Sequence, residues 1–278
     1  MSPAKRECLH QYADEIAIVG GLCSTRLRHA LSIVPRADFL PPGPWVIERL
    51  DGTYYHSVDD DRRRVLHSVG VALDPERGLN NGNPANISRL IEAIDPRPGE
   101  HVLHVGAGVG YYTAVIAELV GPEGHVVAAE IDPDLNARAA DNLKPWPHVA
   151  LAGDATRLTS LGPLDVVFCS SGVADIPLFW LRALKVGGRM LLPLTGSIQG
   201  GPIFLLERLQ DPDHFSARML TAQRYFPCLG TRGAAAEAAV DAAIARSSPQ
   251  EVSGLWLGEH PPGGQCWLHG SGWCLRRS

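Results

Sequence analysis

Three things are missing from this 278-residue sequence, and each absence removes a class of function. No run approaches the ~18 apolar residues of a membrane span, and the opening MSPAKRECLHQYADE has no apolar signal-peptide core. The expectation is therefore a cytoplasmic protein without membrane attachment. There is also no basic excess: 25 Lys and Arg stand against 30 Asp and Glu, a net charge of −5. A nucleic-acid surface needs cations to neutralise phosphates, so no nucleic-acid partner is expected. Arg62, Arg63 and Arg64 follow directly on Asp59, Asp60 and Asp61 and read as a solvated charge run.

The third absence concerns the cysteines. Cys8, Cys23, Cys169, Cys228, Cys266 and Cys274 form no C-x-x-C pair and no paired histidine spacing. No metal and no redox motif is expected, and the cysteines read as buried thiols in a reducing compartment. Cys266 and Cys274 are placed to face each other across a hairpin, where a disulfide would be unusual in a cytosolic protein.

What remains is an ordinary globular composition, 45% hydrophobic and 20% charged, in a chain long enough for one large α/β domain with additions or for two small ones. Residues 1–77 carry two amphipathic helical patterns, ECLHQYADEIAIV and STRLRHALSIV, then the break VPRADFLPPGP and a polar stretch around TYYHSVDDDRRR. This part reads as a cap and lid of helices and loops; Tyr54, Tyr55 and His56 read as exposed loop residues, or as lid residues that wall the pocket.

Residues 78–232 alternate strand and helix with short breaks: ANISRLIEAI, HVLHV, YYTAVIAELV, HVVAAE, DPDLNARAADNL, HVALAG, LDVVFCS, PLFWLRAL, GGRMLLPL and PIFLLERL. That order predicts a doubly wound, mainly parallel sheet of Rossmann-like type. Residues 233–278 predict an alanine-rich helix, GAAAEAAVDAAIARS, and a hairpin through Gly270 and Ser271. The apolar hairpin, with Trp267 and Trp273, needs a covering surface. A second subunit, giving a homodimer, is one expectation, and cover of an edge strand or of the pocket is another.

The chemistry centres on VLHVGAGVGYYTAV. Gly106, Gly108 and Gly110 lie between a strand and a helix, where a backbone without Cβ atoms lets a ligand approach its amides. Tyr111 stands where a dinucleotide fingerprint would need its third glycine. Glu130 closes the next strand and is suited to accept both hydroxyls of a ribose. At the third strand end, Asp154 followed by Ala155 suits an adenine. Three such elements on successive strand ends point to an adenosyl cofactor.

With these residues in view the chain resembles the class I S-adenosylmethionine-dependent methyltransferases, and within them the protein-L-isoaspartate O-methyltransferase family. The matching stretches are ALSIVPRADFLPP, LHVGAGVGYYTAVIAELVG, AAEIDPDL, GDA, LDVVFCSSGVADIP, LKVGGRMLLPLTG and RYFPCLG. The resemblance implies S-adenosylmethionine as cofactor, S-adenosylhomocysteine as product, and methyl transfer to a carboxylate. By position, Val105, Gly106, Ala107, Gly108 and Gly110 would cradle the methionine part, Glu130 and Ile131 the ribose side, and Asp154 and Ala155 the adenine.

The family has a G-Q-T-I-S-x-P segment ahead of this core, whose threonine and serine line the transfer site. This chain has GLNNGNP, with Gly78 and Pro84 aligned but Leu79, Asn80, Asn81 and Gly82 where Gln, Thr, Ile and Ser would stand. Both hydroxyls are absent. Asn80, Asn81, Gly82 and Asn83 are candidate substrate-facing residues, since their amides can donate to a substrate oxygen. The same asparagines also suit plain turn chemistry. Ser170 and Ser171, at the fourth strand tip, are further substrate-facing candidates. No catalytic side chain is assigned. His104 replaces the family's usual carboxylate before the glycine turn and reads either as a satisfied core histidine or as a site residue.

Three readings follow: a family methyltransferase with a diverged acceptor, whether peptide, protein or small molecule; a conventional isoaspartyl repair enzyme; and a catalytically silent cofactor-binding module. An RNA methyltransferase is a fourth, disfavoured by the acidic balance.

Overall fold

A computed structural model describes residues 2–49, 52–198, 200–258 and 265–277. In chain order the elements are α1 (Pro3–Gly20), α2 (Thr25–Ile33), α3 (Arg36–Phe39), β1 (Val46–Glu48), β2 (Tyr54–His56), β3 (Gly70–Asp74), β4 (Leu79–Asn80), α4 (Pro84–Ile94), β5 (His101–Val105), α5 (Tyr111–Val120), β6 (His125–Ala129), α6 (Pro133–Asn142), β7 (Val149–Ala152), β8 (Leu164–Cys169), α7 (Leu178–Ala183), β9 (Leu184–Pro193), β10 (Gly200–Arg208), β11 (His214–Arg224), α8 (Ala234–Arg246), β12 (Val252–Leu257), β13 (Cys266–Gly270) and β14 (Trp273–Arg277). Among the described residues no helix is long and apolar enough to cross a membrane.

The large sheet has the strand order β13-β14-β12-β11-β10-β9-β8-β5-β6-β7. Strands separated by crossover connections run parallel, as in β5 with β8 and β8 with β9. Beyond β9 the pairs turn antiparallel, from β9–β10 through β10–β11, β11–β12 and β12–β14 to the hairpin β13–β14, with α8 lying in the connection from β11 to β12. The parallel half is the expected Rossmann-like sheet. β11 and β12 were not expected, and they lengthen the antiparallel half.

The chain divides into two compact units, Met1–Gly99 with Ala107–Ala128 and Asp132–Leu151, and Glu100–Gly106 with Ala129–Ile131 and Ala152–Ser278. In the first, the expected helices form where their caps direct. The Ser2 side chain accepts from the Lys5 amide ahead of Pro3 and α1 ends on left-handed Gly21, while Asp132 caps α6 ahead of Pro133. Their buried faces include Leu9, Tyr12 and Ile16 of α1, Leu27 and Leu31 of α2, and Ile91 and Ile94 of α4.

The expectation of helices and loops alone before residue 77 needs correcting. A four-stranded antiparallel sheet, β2-β1-β3-β4, closes over Leu40, Trp45, Ile47, Val65 and Val71. Its strands are only two to five residues long, too short for a period-two pattern to register in sequence. Tyr54, Tyr55 and His56 are exposed, as expected, but they form strand β2 rather than loop. The charge run is solvated, with Arg63 paired to Asp61 and Arg64 to Asp59.

In the second unit the buried faces of β8, β9 and β10 supply Val166, Phe168, Met190, Leu192 and Phe204. Trp267 from the hairpin meets Phe204 edge-on at 5.9 Å, and the Trp273 indole N–H donates to Asp175 at 2.8 Å. Within the C-terminal extension, residues 259–264 lie outside the described residues; its helix and hairpin stand where the sequence placed them.

Candidate active site

The ends of β5, β6, β7 and β8 are tied to one another by backbone hydrogen bonds within the second unit. The Gly106 amide donates to Ala129 O at 2.9 Å, the Glu130 amide to Ala152 O at 3.1 Å, and the Ser170 amide to Val105 O at 2.8 Å. Val105, Gly106, Glu130, Ile131, Asp154, Ala155, Ser170 and Ser171 therefore all sit along one row of strand tips, as parallel strands with aligned carboxyl ends require. Gly106 has φ +76°, and a Cβ there would stand 3.2 Å from Ser171 Oγ. Glu130 is 8% exposed, a carboxylate set into the row, while Ile131 beside it is exposed.

Asp154 has local work as well. Its Oδ1 accepts from the Thr156 amide at 2.9 Å and the Thr156 hydroxyl at 2.7 Å, capping the short turn Ala155–Arg157, and its Oδ2 lies 3.5 Å from Arg157 Nε. Ala155 is buried, and its carbonyl accepts from the Trp180 indole at 3.2 Å.

His104 on β5 is fully buried, edge-on to Phe168, with Nε2 3.0 Å from Ser170 Oγ. Burial lowers its pKa to about 3, so the ring is neutral and satisfied. Of its two sequence readings, the core histidine describes this geometry. Cys169, one residue before Ser170, donates through Sγ to Ser171 O at 3.1 Å. Burial pushes its thiol up to about 12, so it stays protonated and non-nucleophilic.

The remaining site candidates belong to the first unit. Ala107 is buried, and Gly108 (φ +58°) has open space where a Cβ would stand. Gly110 (φ +89°) caps α5, and a Cβ there would strike Leu143 at 2.9 Å. Tyr111, in place of a third glycine, is buried with its hydroxyl 3.0 Å from that of Tyr12 and its ring 5.5 Å from Phe39.

The segment Gly78 to Pro84 is bonded throughout. Asn80 Oδ1 accepts from the Gly82 amide at 2.8 Å. Asn81 is buried, its amide donating to Val71 O at 2.8 Å. Asn83 caps α4 through Oδ1, donates from Nδ2 to Ser68 O at 2.7 Å and accepts from the Ser68 hydroxyl at 2.9 Å. Gly82 has φ +61°, and its carbonyl accepts from Tyr112 OH at 3.4 Å. Turn and cap chemistry thus accounts for the carboxamide oxygens of Asn80 and Asn83.

A residue that sequence reasoning passed over holds this segment. Arg36, fully buried, donates from Nη1 to Val65 O (2.7 Å) and His67 O (3.2 Å), from Nη2 to Val69 O (2.8 Å) and Gly82 O (3.2 Å), and from Nε to Asn81 Oδ1 (3.2 Å). Its V-P-R motif was the available signal.

Comparison with known proteins adds the family. The model of protein-L-isoaspartate(D-aspartate) O-methyltransferase (PCMT) matches residues 76–251. The chain is 31% identical to a protein-L-isoaspartate O-methyltransferase of Methanopyrus kandleri, over 82% of this chain and 94% of that one. It is 33% identical to one of Ignicoccus hospitalis, over 82% and 99%. A solved protein-L-isoaspartate O-methyltransferase superposes with TM-score 0.65 at 22% identity, covering 91% of this chain and 74% of that one. A Plasmodium falciparum structure described as a beta-aspartate methyltransferase, in complex with S-adenosyl-L-homocysteine, gives 0.62 at 12% identity, over 79% and 97%. The strand-tip row, the glycine turn and these matches agree: the chain belongs to the protein-L-isoaspartate(D-aspartate) O-methyltransferase family and is an S-adenosylmethionine-dependent methyltransferase.

Proposed function

We propose that this enzyme methylates a carboxylate oxygen of a peptide or protein acceptor, with the isoaspartyl side chain as the leading candidate. The observation that carries the carboxylate is His104. The histidine at the strand tips is buried with a pKa lowered to about 3, far below the range of a useful general base near neutral pH. An acceptor that must lose a proton is poorly served there. A carboxyl group, with a pKa of about 4, arrives ionised and needs only alignment.

S-adenosylmethionine, when bound, supplies a methyl group on a positively charged sulfur. The residues present suit it. Gly108 leaves open the space a Cβ would fill, a gap fit for the methionine part, and Gly106, Ala107 and Gly110 continue that turn. Glu130, an acceptor-only carboxylate when ionised, is assigned the ribose hydroxyls, with Ile131 beside it. Asp154 and Ala155 are assigned the adenine edge. Ser170, held by His104, and Ser171 are assigned to the acceptor side.

The names of the relatives favour isoaspartyl repair as the activity. A second reading, a diverged peptide or small-molecule acceptor, draws on one feature: the Gly78–Pro84 segment lacks both family hydroxyls. The two separate in one assay. The protein is incubated with methyl-labelled S-adenosylmethionine and an isoaspartyl peptide, and the label is tested for base lability. Base-labile label on that peptide supports repair; no transfer to it, with cofactor still bound, removes the isoaspartyl reading; base-stable label on another acceptor removes the carboxylate.

A further inference from the structure

The C-terminal hairpin gathers three metal-binding side chains that the sequence keeps apart. Cys266 and His269 are three residues apart on β13, and in a regular strand an odd separation sends side chains to opposite faces. The pairing with β14 shifts register between Cys266 and Leu268. This extra residue returns Cys266 to the face of His269, as a β-bulge does. Trp267 and Leu268 are both buried in consequence. Across the hairpin Cys274 stands directly opposite His269, and Cys266 opposite Arg276, two residues further along the same face.

The ligand atoms of Cys266, His269 and Cys274 all lie within 4.8 Å of one another. Tetrahedral zinc with ordinary Zn–S and Zn–N lengths separates its ligand atoms by about 3.5–3.8 Å, so the cluster need contract by only about 1 Å. Cys274 is fully buried and Cys266 and His269 are half-buried, and the two cysteines are thiols rather than halves of a disulfide. Two thiolates and one imidazole are a donor set for a soft divalent cation, and their charge balances that of Zn²⁺. The guanidinium of Arg276 stacks 3.4 Å above the Trp256 ring and, from beside the cluster, favours the thiolate form of Cys274.

We propose that Cys266, His269 and Cys274 bind one zinc ion, with the fourth position left to a water or another donor, and that the ion pins edge strand β13 to β14. Binding releases the two thiol protons to solvent; no electron is exchanged. The sequence expectation of no metal rested on linear spacing, which a bulge and a cross-strand pair bypass.

The test uses the full chain, purified under reducing conditions and dialysed against zinc, then measured for metal content and for cobalt(II) substitution. The expected result is about one zinc per chain, and cobalt spectra with thiolate charge-transfer and tetrahedral d–d bands. Cys266→Ser and His269→Asn should each weaken zinc binding by more than the roughly 10- to 100-fold that loss of a supporting partner costs. Cys8→Ser with Cys23→Ser should leave it intact. Absence of thiolate–cobalt bands in the reduced protein, binding unchanged in Cys266→Ser, or a native Cys266–Cys274 disulfide would each overturn the proposal. Because Cys266 is only half-buried, its serine variant is expected to fold, and circular dichroism checks this.

Discussion

Arg36 Nε donates to Asn81 Oδ1 at 3.2 Å, and through its other four donors the same guanidinium holds the carbonyls of Val65, His67, Val69 and Gly82. All five N–H groups are used on the chain's own oxygens, so a buried cation is satisfied with no carboxylate partner among the described residues. The clamp joins the approach to β3 with the Gly78–Pro84 segment, proposed to face the acceptor.

Arg36→Ala would strip several buried carbonyls of their donor at once. Each unsatisfied group costs about 1–3 kcal/mol, so a loss of at least about 3 kcal/mol is expected in urea unfolding. Arg36→Lys should recover little of it, because an ammonium cannot span five acceptors in a fork. A loss below about 1 kcal/mol for Arg36→Ala would mean that water replaces the guanidinium.

Restoring the family hydroxyls tests whether the Gly78–Pro84 segment faces the acceptor. Asn80→Thr with Gly82→Ser should raise isoaspartyl methylation if their absence redirected the enzyme. Gly82 has φ +61°, so a side chain there costs about 1–2 kcal/mol. Gly82→Ala isolates that cost: it should destabilise equally and raise no activity. If kcat/KM toward an isoaspartyl peptide does not change in the double variant, the hydroxyls were not what set the acceptor.

Glu130→Gln keeps the shape and removes the charge. Hydrogen bonds to a charged group contribute about 1.5–3 kcal/mol, so S-adenosylmethionine affinity should fall by about 10- to 100-fold while the acceptor KM stays near its original value. Calorimetric titration with cofactor measures this directly, and undiminished affinity would move the ribose site elsewhere.

His104 gives a pH signature. Its pKa is lowered to about 3 in the fold, against about 6.5 in the unfolded chain. Between those values the unfolded chain holds the extra proton, so the stabilising contribution is present above about pH 6.5 and is lost as pH falls toward about 3. His104→Gln, which keeps a partner for Ser170, should flatten that acid limb by up to about 1.4 kcal/mol per pH unit. Urea midpoints from about pH 4 to about pH 7 decide it; identical slopes would show that the ring protonates in the folded state. Near neutral pH, methyl transfer by the variant should show the same pH dependence as the parent enzyme.

Much of the fold, and the placing of Gly106, Glu130 and Asp154 at strand ends, was legible because its signals are local. Asn83 and Pro84 announce the start of α4 through cap and N1 chemistry, and HVLHV followed by glycines announces a strand, a turn and α5. Less legible were β11 and β12. HFSARMLTAQR buries only Phe215 and Ala217 fully, so apolar alternation is weak, and VSGLWL is short and interrupted by Gly254. The small sheet of β1 to β4 was hidden for the same reason.

By itself, the sequence determined which segments become helices, where the parallel strands end, and that glycines, Glu130 and Asp154 fall at those ends, since backbone conformation and amphipathic period act over a few residues. Only tertiary structure decided how the asparagines of GLNNGNP are used, that His104 is neutral, and that Cys266, His269 and Cys274 share a face. Arg36 reaches acceptors up to 46 residues away, and His104 owes its low pKa to the packing around it. The cysteine–histidine face depends on a bulge in a strand pair. Desolvation, hydrogen-bond partnership and register belong to distant segments brought together, and no local pattern encodes them.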